Sequence, residues 1–125
     1  MKKFAFVFAA VLLFLSTAVF AKKHANTAIK HTNSAITHAN TAIKHTSSAI
    51  AQGKLGKASA LVEHAGVALE HAKKADEVAK GLSKIHIYAG ILSLKEAISR
   101  GKTGNAASAT KAAEKALAQI KAGNK

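Results

Sequence analysis

The chain has 125 residues, a net charge of +13, and no cysteine, proline or tryptophan. Thiolate metal sites, disulfides and thiol catalysis are excluded, so any metal ligand must be nitrogen or oxygen. So basic a surface attracts anionic membranes, cell-wall polymers or nucleic acid.

Residues 1–21 have the form of a secretory signal peptide. A basic head, Met1-Lys2-Lys3, precedes an apolar run from Phe4 to Ala21 broken only by Ser16 and Thr17, and the run ends in Val19-Phe20-Ala21, a small-x-small cleavage pattern. An uncleaved anchor would only just span a bilayer, which takes about 20 residues. Cleavage after Ala21, just before Lys22-Lys23, is therefore the expectation, and it places the product in the periplasm or outside the cell. The remaining domain, 22–125, keeps 17 basic residues against 6 acidic, a net charge of +11, and has one aromatic residue, Tyr88. Without Phe or Trp to stack on bases, single-stranded nucleic acid is not an expected partner.

A seven-residue unit opens this domain. Residues 24–37 read HANTAIKHTNSAIT and 38–51 read HANTAIKHTSSAIA; the unit returns at His64 as HAGVALE and at His71 as HAKKADE. A longer repeat lies above it: Ala49-Ile50-Ala51-Gln52-Gly53-Lys54-Leu55-Gly56 matches Ala97-Ile98-Ser99-Arg100-Gly101-Lys102-Thr103-Gly104, and His38 matches His86. Gly53/Gly56 and Gly101/Gly104 flank tight connections, Gly81 marks the middle joint, and Ser83 is suited to cap the following helix. Helices are predicted at about 24–52, 57–80, 84–100 and 105–122. Absent proline and abundant Ala, Lys and Glu favour helix throughout. The expected fold is all-α, an antiparallel up-down four-helix bundle made of two duplicated helical hairpins, about 24–80 and about 84–122.

The predicted core is thin. Ile29, Ile36, Ile43 and Ile50 form one stripe, backed by Ala28, Ala35, Ala42 and Ala49. Leu61, Leu69, Val78, Leu82, Ile91, Leu94, Ile98, Leu117 and Ile120 supply most of the rest. Tyr88 is expected to pack in the core or on its shoulder.

All seven histidines, His24, His31, His38, His45, His64, His71 and His86, occupy the first position of the unit. On a helical wheel with Ile at the origin, His falls at about 200°, the following Ala/Thr at about 300° and the second Ala at about 240°. The imidazoles thus sit on a shoulder of the apolar stripe, wet but able to reach a neighbouring helix. Histidines seven residues apart are about 10.5 Å apart along the axis, too far to share an ion through bonds of about 2 Å. A chelate needs a second helix. If the first turn is centred between Lys54 and Leu55, residues at equal height have numbers summing to about 109, which pairs His45 with His64 and His38 with His71. The same operation sets His86 opposite Gln119, a weaker site. Glu63 and Glu70 point away from the histidines. Cleavage after Ala21 would add a third kind of site, because the amine and amides of Lys22-Lys23-His24 with the His24 imidazole can wrap a square plane, which favours Cu(II) or Ni(II). Ligand preference orders Cu(II) first, with Ni(II) and Zn(II) behind.

The H-[AT]-x-x-A-[IL] unit and the spaced Gly-Lys-x-Gly turns make the chain similar to the small metal-binding protein family, exported bacterial proteins of His-containing heptads in a helical bundle. The resemblance covers essentially all of 22–125. It implies binding of several copper ions, tolerance of other divalent metals and a role in copper buffering. This chain departs from the family by having fewer histidines: Ser93, Ala112 and Gln119 take the first position in the second hairpin. Acidic residues are also sparse. Reduced capacity is the expectation, and metal binding by the second hairpin stays open.

Other classes have weaker support. No nucleophile–base constellation or paired-carboxylate cleft is recognisable, and Gly-Lys-x-Gly is too short for a phosphate loop, so no enzyme is expected. The serious alternative is a basic helical interaction protein on anionic envelope surfaces, with salt dependence and no metal dependence. The Ile stripe also resembles a coiled-coil seam, so oligomeric state is open.

Overall fold

In the computed structural model the described residues are 22–125, so the expected signal peptide and its cleavage site lie outside them. Four helices follow in order: α1 (Lys2–Lys54, described from Lys22), α2 (Ala58–Val78), α3 (Gly81–Lys102) and α4 (Ala106–Gly123). Residues 32–125 form one compact unit; 22–31 belong to another and are described by themselves. No strand occurs among the described residues. Among them, too, no helix is long and apolar enough to cross a membrane.

In the hydroxyl-rich sequence of α1 the Ser and Thr side chains are satisfied within the helix, on the carbonyl four residues back. Thr37, Thr41, Thr46, Ser47 and Ser48 all donate in this way. The turns after α1 and α3 close on Gly56 and Gly104, with φ of +73° and +80°, the left-handed backbone that only glycine adopts at no steric cost. Asn105 caps α4, its side chain accepting from the Ser108 N–H at 3.0 Å. Gly53 and Gly101, expected to flank the turns, instead lie in the last turns of α1 and α3, where neighbours press close. A Cβ on Gly53 would stand 2.0 Å from Thr110 Oγ1 of α4, and one on Gly101 would stand 2.5 Å from Val62 Cγ2 of α2. Ser83 does not cap α3. The N-cap is Lys80, with no side-chain bond, and the Ser83 hydroxyl donates to the Gly123 carbonyl at the end of α4.

Within 32–125 the helices pack as a bundle: α3 lies along α4, α2 along α3, and α2 makes a smaller contact with α4. Small residues fill its centre. Ala39, Ala42, Thr46 and Ala49 of α1 and Ala65, Ala68, Ala72 and Ala75 of α2 are all essentially inaccessible, and Leu61, Ile87, Leu94, Ile120 and Thr46 are the largest fully buried side chains. This corrects the predicted stripe. Ile43 is only half-buried, while Ile29 and Ile36 are exposed at 57% and 37%. The centre of the stripe is the Ala/Thr column after His38, His45, His64 and His71 together with the second Ala of those units, because columns without bulk let helix axes approach and push isoleucine to the edge. Leu82 and Tyr88, expected inside or at the shoulder, are exposed at 74% and 54%.

Candidate metal centre

Shifting the centre of the stripe toward the small residues brings the histidines closer to the helix–helix seam. With Ala39 and Ala42 at the contact, His38 and His45 stand at one edge of it, half-buried, and His64 and His71 of α2 stand at the same edge. The structure brings together the residues that the register predicts. His38 Nδ1 and His71 Nδ1 are 3.2 Å apart, one donating and the other accepting. The rings of His45 and His64 stack with centroids 6.0 Å apart and planes 29° apart.

A third contact joins the two pairs, and sequence arithmetic gave no sign of it. The rings of His45 and His71 lie 7° from parallel with centroids 6.4 Å apart. With the His38–His71 centroids at 5.5 Å, the imidazoles run as a ladder: His38, His71, His45, His64. Residue numbers pair side chains at one height; they do not show rings leaning across a level.

Two features fit this ladder to a cation. Bonds of about 2.0 Å hold two nitrogens about 3.3 Å apart at a tetrahedral angle and about 2.8 Å apart at a right angle. The 3.2 Å between the His38 and His71 nitrogens falls within that range, so an ion could replace the shared proton with little movement. In addition, His45 Nδ1 is buried without a hydrogen-bond partner. A buried nitrogen in that condition is costly, and a water, a proton or an ion relieves the cost.

The electrostatics favour neutral imidazole, the form that ligates. The pKa of His71 is lowered, first by burial and then by the positive charge of His38, Lys74 and His45, with Glu70 opposing. Lys74 is a contributor that the sequence reading passed over. Glu63 and Glu70 are both exposed. Among the described residues, no group of three or more His, Asp or Glu comes close enough to hold one ion. Each level brings two imidazoles together.

The remaining candidates differ. His86 meets Gln119, Nδ1 to Oε1 at 2.9 Å. An amide oxygen only accepts, so the His86 Nδ1 carries the proton and Nε2 alone keeps a lone pair. His24 and His31 are exposed on α1 and belong to the N-terminal unit. Lys22 and Lys23 are exposed as well, and their part in an amine site depends on a cut outside the described residues.

A family model described as "Small metal-binding protein" matches residues 34–123. The match takes in the end of α1, the whole of α2, α3 and α4, and five of the seven histidines; His24 and His31 precede it. No curated protein matches the chain.

Proposed function

The chain belongs to the small metal-binding protein family, and from that premise we propose that it binds Cu(II), with Ni(II) and Zn(II) tolerated, at the facing histidines of α1 and α2. Its role is to buffer or sequester metal after export to the periplasm or the medium, without catalysis. The observation that carries this is the His38–His71 nitrogen separation of 3.2 Å, next to the unpartnered His45 Nδ1. Two imidazoles with water make a site that exchanges its ion readily, which suits buffering. If cleavage follows Ala21, Lys22, Lys23 and His24 supply a further square-planar site. An antiparallel up-down path and an origin by duplication belong to the same proposal. In support, Gly53 faces Thr110 while Gly101 faces Val62, and His38 faces His71 while His86 faces Gln119. Each of these correspondences is a shift of 48 residues in the sequence.

The test is a Cu(II) titration of the purified protein at about pH 7.5 and about pH 5, on either side of the ordinary imidazole pKa. Two or more ions bound at neutral pH and released at acid pH are expected, because protons compete for the same nitrogens. No binding at neutral pH would remove the proposal.

One observation favours a second reading, contact with anionic envelope surfaces. Leu82, Ile85, Tyr88 and Leu92 are exposed on α3, each at 50% or more, with exposed Lys84 and Lys95 on the same helix. Apolar side chains with lysine stems beside them suit a lipid–water interface. Binding to anionic vesicles that salt abolishes and metal leaves unchanged would put this reading first.

A further inference from the structure

Histidines seven residues apart on a helix lie about 10.5 Å apart along its axis. With metal–nitrogen bonds of about 2 Å, that distance would isolate an ion at His38 and His71 from one at His45 and His64. The ladder removes the isolation. His71 lies 5.5 Å from His38 and 6.4 Å from His45, centroid to centroid, and His45 lies 6.0 Å from His64. The contact between levels is nearly as close as the contacts within them, and it is the best aligned of the three, at 7° from parallel.

We propose that the ladder passes a metal ion from one level to the other without releasing it to solvent, so that α1 and α2 conduct their cargo as well as hold it. The proposal rests on the reading that facing histidines hold a metal. It follows from the sharing of rings. His38 with His71, His71 with His45, and His45 with His64 are three neighbouring two-ring places, and each shares one imidazole with the next. In the first step His38 is exchanged for His45 while His71 keeps hold. In the second His71 is exchanged for His64 while His45 keeps hold. Each step breaks one metal–nitrogen bond and forms another, whereas escape to solvent breaks both.

Three observations suit the rings to this. All four are half-buried at the edge of the seam, so a shared ring is free to swing its bare nitrogen from one neighbour to the other. His45 Nδ1, at the middle place, has no hydrogen bond to give up. Among the described residues no cluster of three or more ligands interrupts the row, so the places offer like donors and none is a deep trap. The α3–α4 pair has no such row: His86 meets Gln119, and Ser93 and Ala112 stand where further rings would be.

The experiment uses protein produced from the full 125-residue sequence, in the form that accumulates, with nitrogen-15 in its histidines. Zn(II), which is diamagnetic, is added at less than one ion per chain, and the imidazole signals are followed by exchange spectroscopy. Ion-bound signals are expected at both levels, interchanging at a rate that does not change on dilution and that exceeds the rate of loss to excess chelator. His64→Ala is expected to keep an ion at His38 and His71 while the interchange with the second level disappears. Interchange that slows on dilution, or that is no faster than loss to chelator, proceeds through solvent and overturns this inference while the metal-binding reading stands. Ions confined to one level, or fixed at both without interchange, do the same. Wild type that binds no ion overturns both.

Discussion

The α1–α2 and α3–α4 pairs present the same places with different chemistry. His38 meets His71 in one; His86 meets Gln119 in the other, and both contacts are near 3 Å. Where the first pair adds His45 and His64, the second has Ser93 and Ala112, both buried. At this height the first pair sets two imidazoles together, whereas Gln119 gives His86 an amide oxygen, a harder donor, in place of a second ring nitrogen.

The largest effect expected from breaking this comparison comes from His38→Ala with His45→Ala. Loss of an outer-shell partner of a metal ligand costs about 10- to 100-fold in affinity, and loss of a direct ligand at each level should cost no less than about 100-fold. Calorimetric titration with Cu(II) should then show the α1–α2 ions gone, with helix content unchanged because both histidines lie at the edge of the core. Retained stoichiometry would move the sites elsewhere.

The converse change is Gln119→His. Gln119 is half-buried, as His71 is, so the larger ring has room. One additional ion per chain is expected, bound more weakly than at the ladder, since no second pair of rings lies beside it. Ser93→His and Ala112→His should not add a site so simply. Those positions are 5% and 6% exposed, and overpacking a filled core costs about 1–3 kcal/mol. Metal counting combined with thermal melts separates these outcomes.

Much of this was legible in the sequence. The turn at Lys54–Leu55 and the constant rise of a helix fix which residues share a height, so the facing of His38 with His71, His45 with His64, and His86 with Gln119 could be derived before any coordinates. Packing depth could not. Hydrophobicity ranks Ile43 above Ala39, yet Ala39 is buried and Ile43 half-buried, because close approach of two helices rewards the absence of a side chain. The same blindness put Leu82 inside; it lies in the first turn of α3 and is 74% exposed. The ring contact between His45 and His71 depends on side-chain torsions, which residue spacing does not encode.

A smaller effect should separate the two pairs without metal. The lowered pKa of His71 means that the folded protein takes a proton less readily than the unfolded chain, whose imidazole titrates near 6.5. Below that pH protonation favours unfolding, so stability is full above about pH 6.5, falls as pH drops through it, and levels off below the folded pKa. Circular-dichroism melts of the apo protein between about pH 8 and about pH 5 should show this decline. His71→Gln, which copies the Gln119 arrangement into the first pair, should flatten it. An unchanged slope would assign the decline to other groups.

The smallest effect expected is informative because it should be close to nothing. Lys30 and Lys44 are exposed on α1, each one residue before a histidine in sequence, and the helical turn carries them to a different face. If metal binding depended only on the general charge of α1, Lys30→Ala with Lys44→Ala would relieve repulsion of a cation and strengthen binding clearly. If it depends on facing nitrogens, the change should stay within about twofold at physiological salt, where exposed charges beyond about 8 Å are largely screened. Cu(II) titrations of this variant and of His38→Ala with His45→Ala, run side by side, set field against ligation on one helix. Comparable changes from both would make charge the cause, and the likeness between the α1–α2 and α3–α4 pairs would then carry no chemistry.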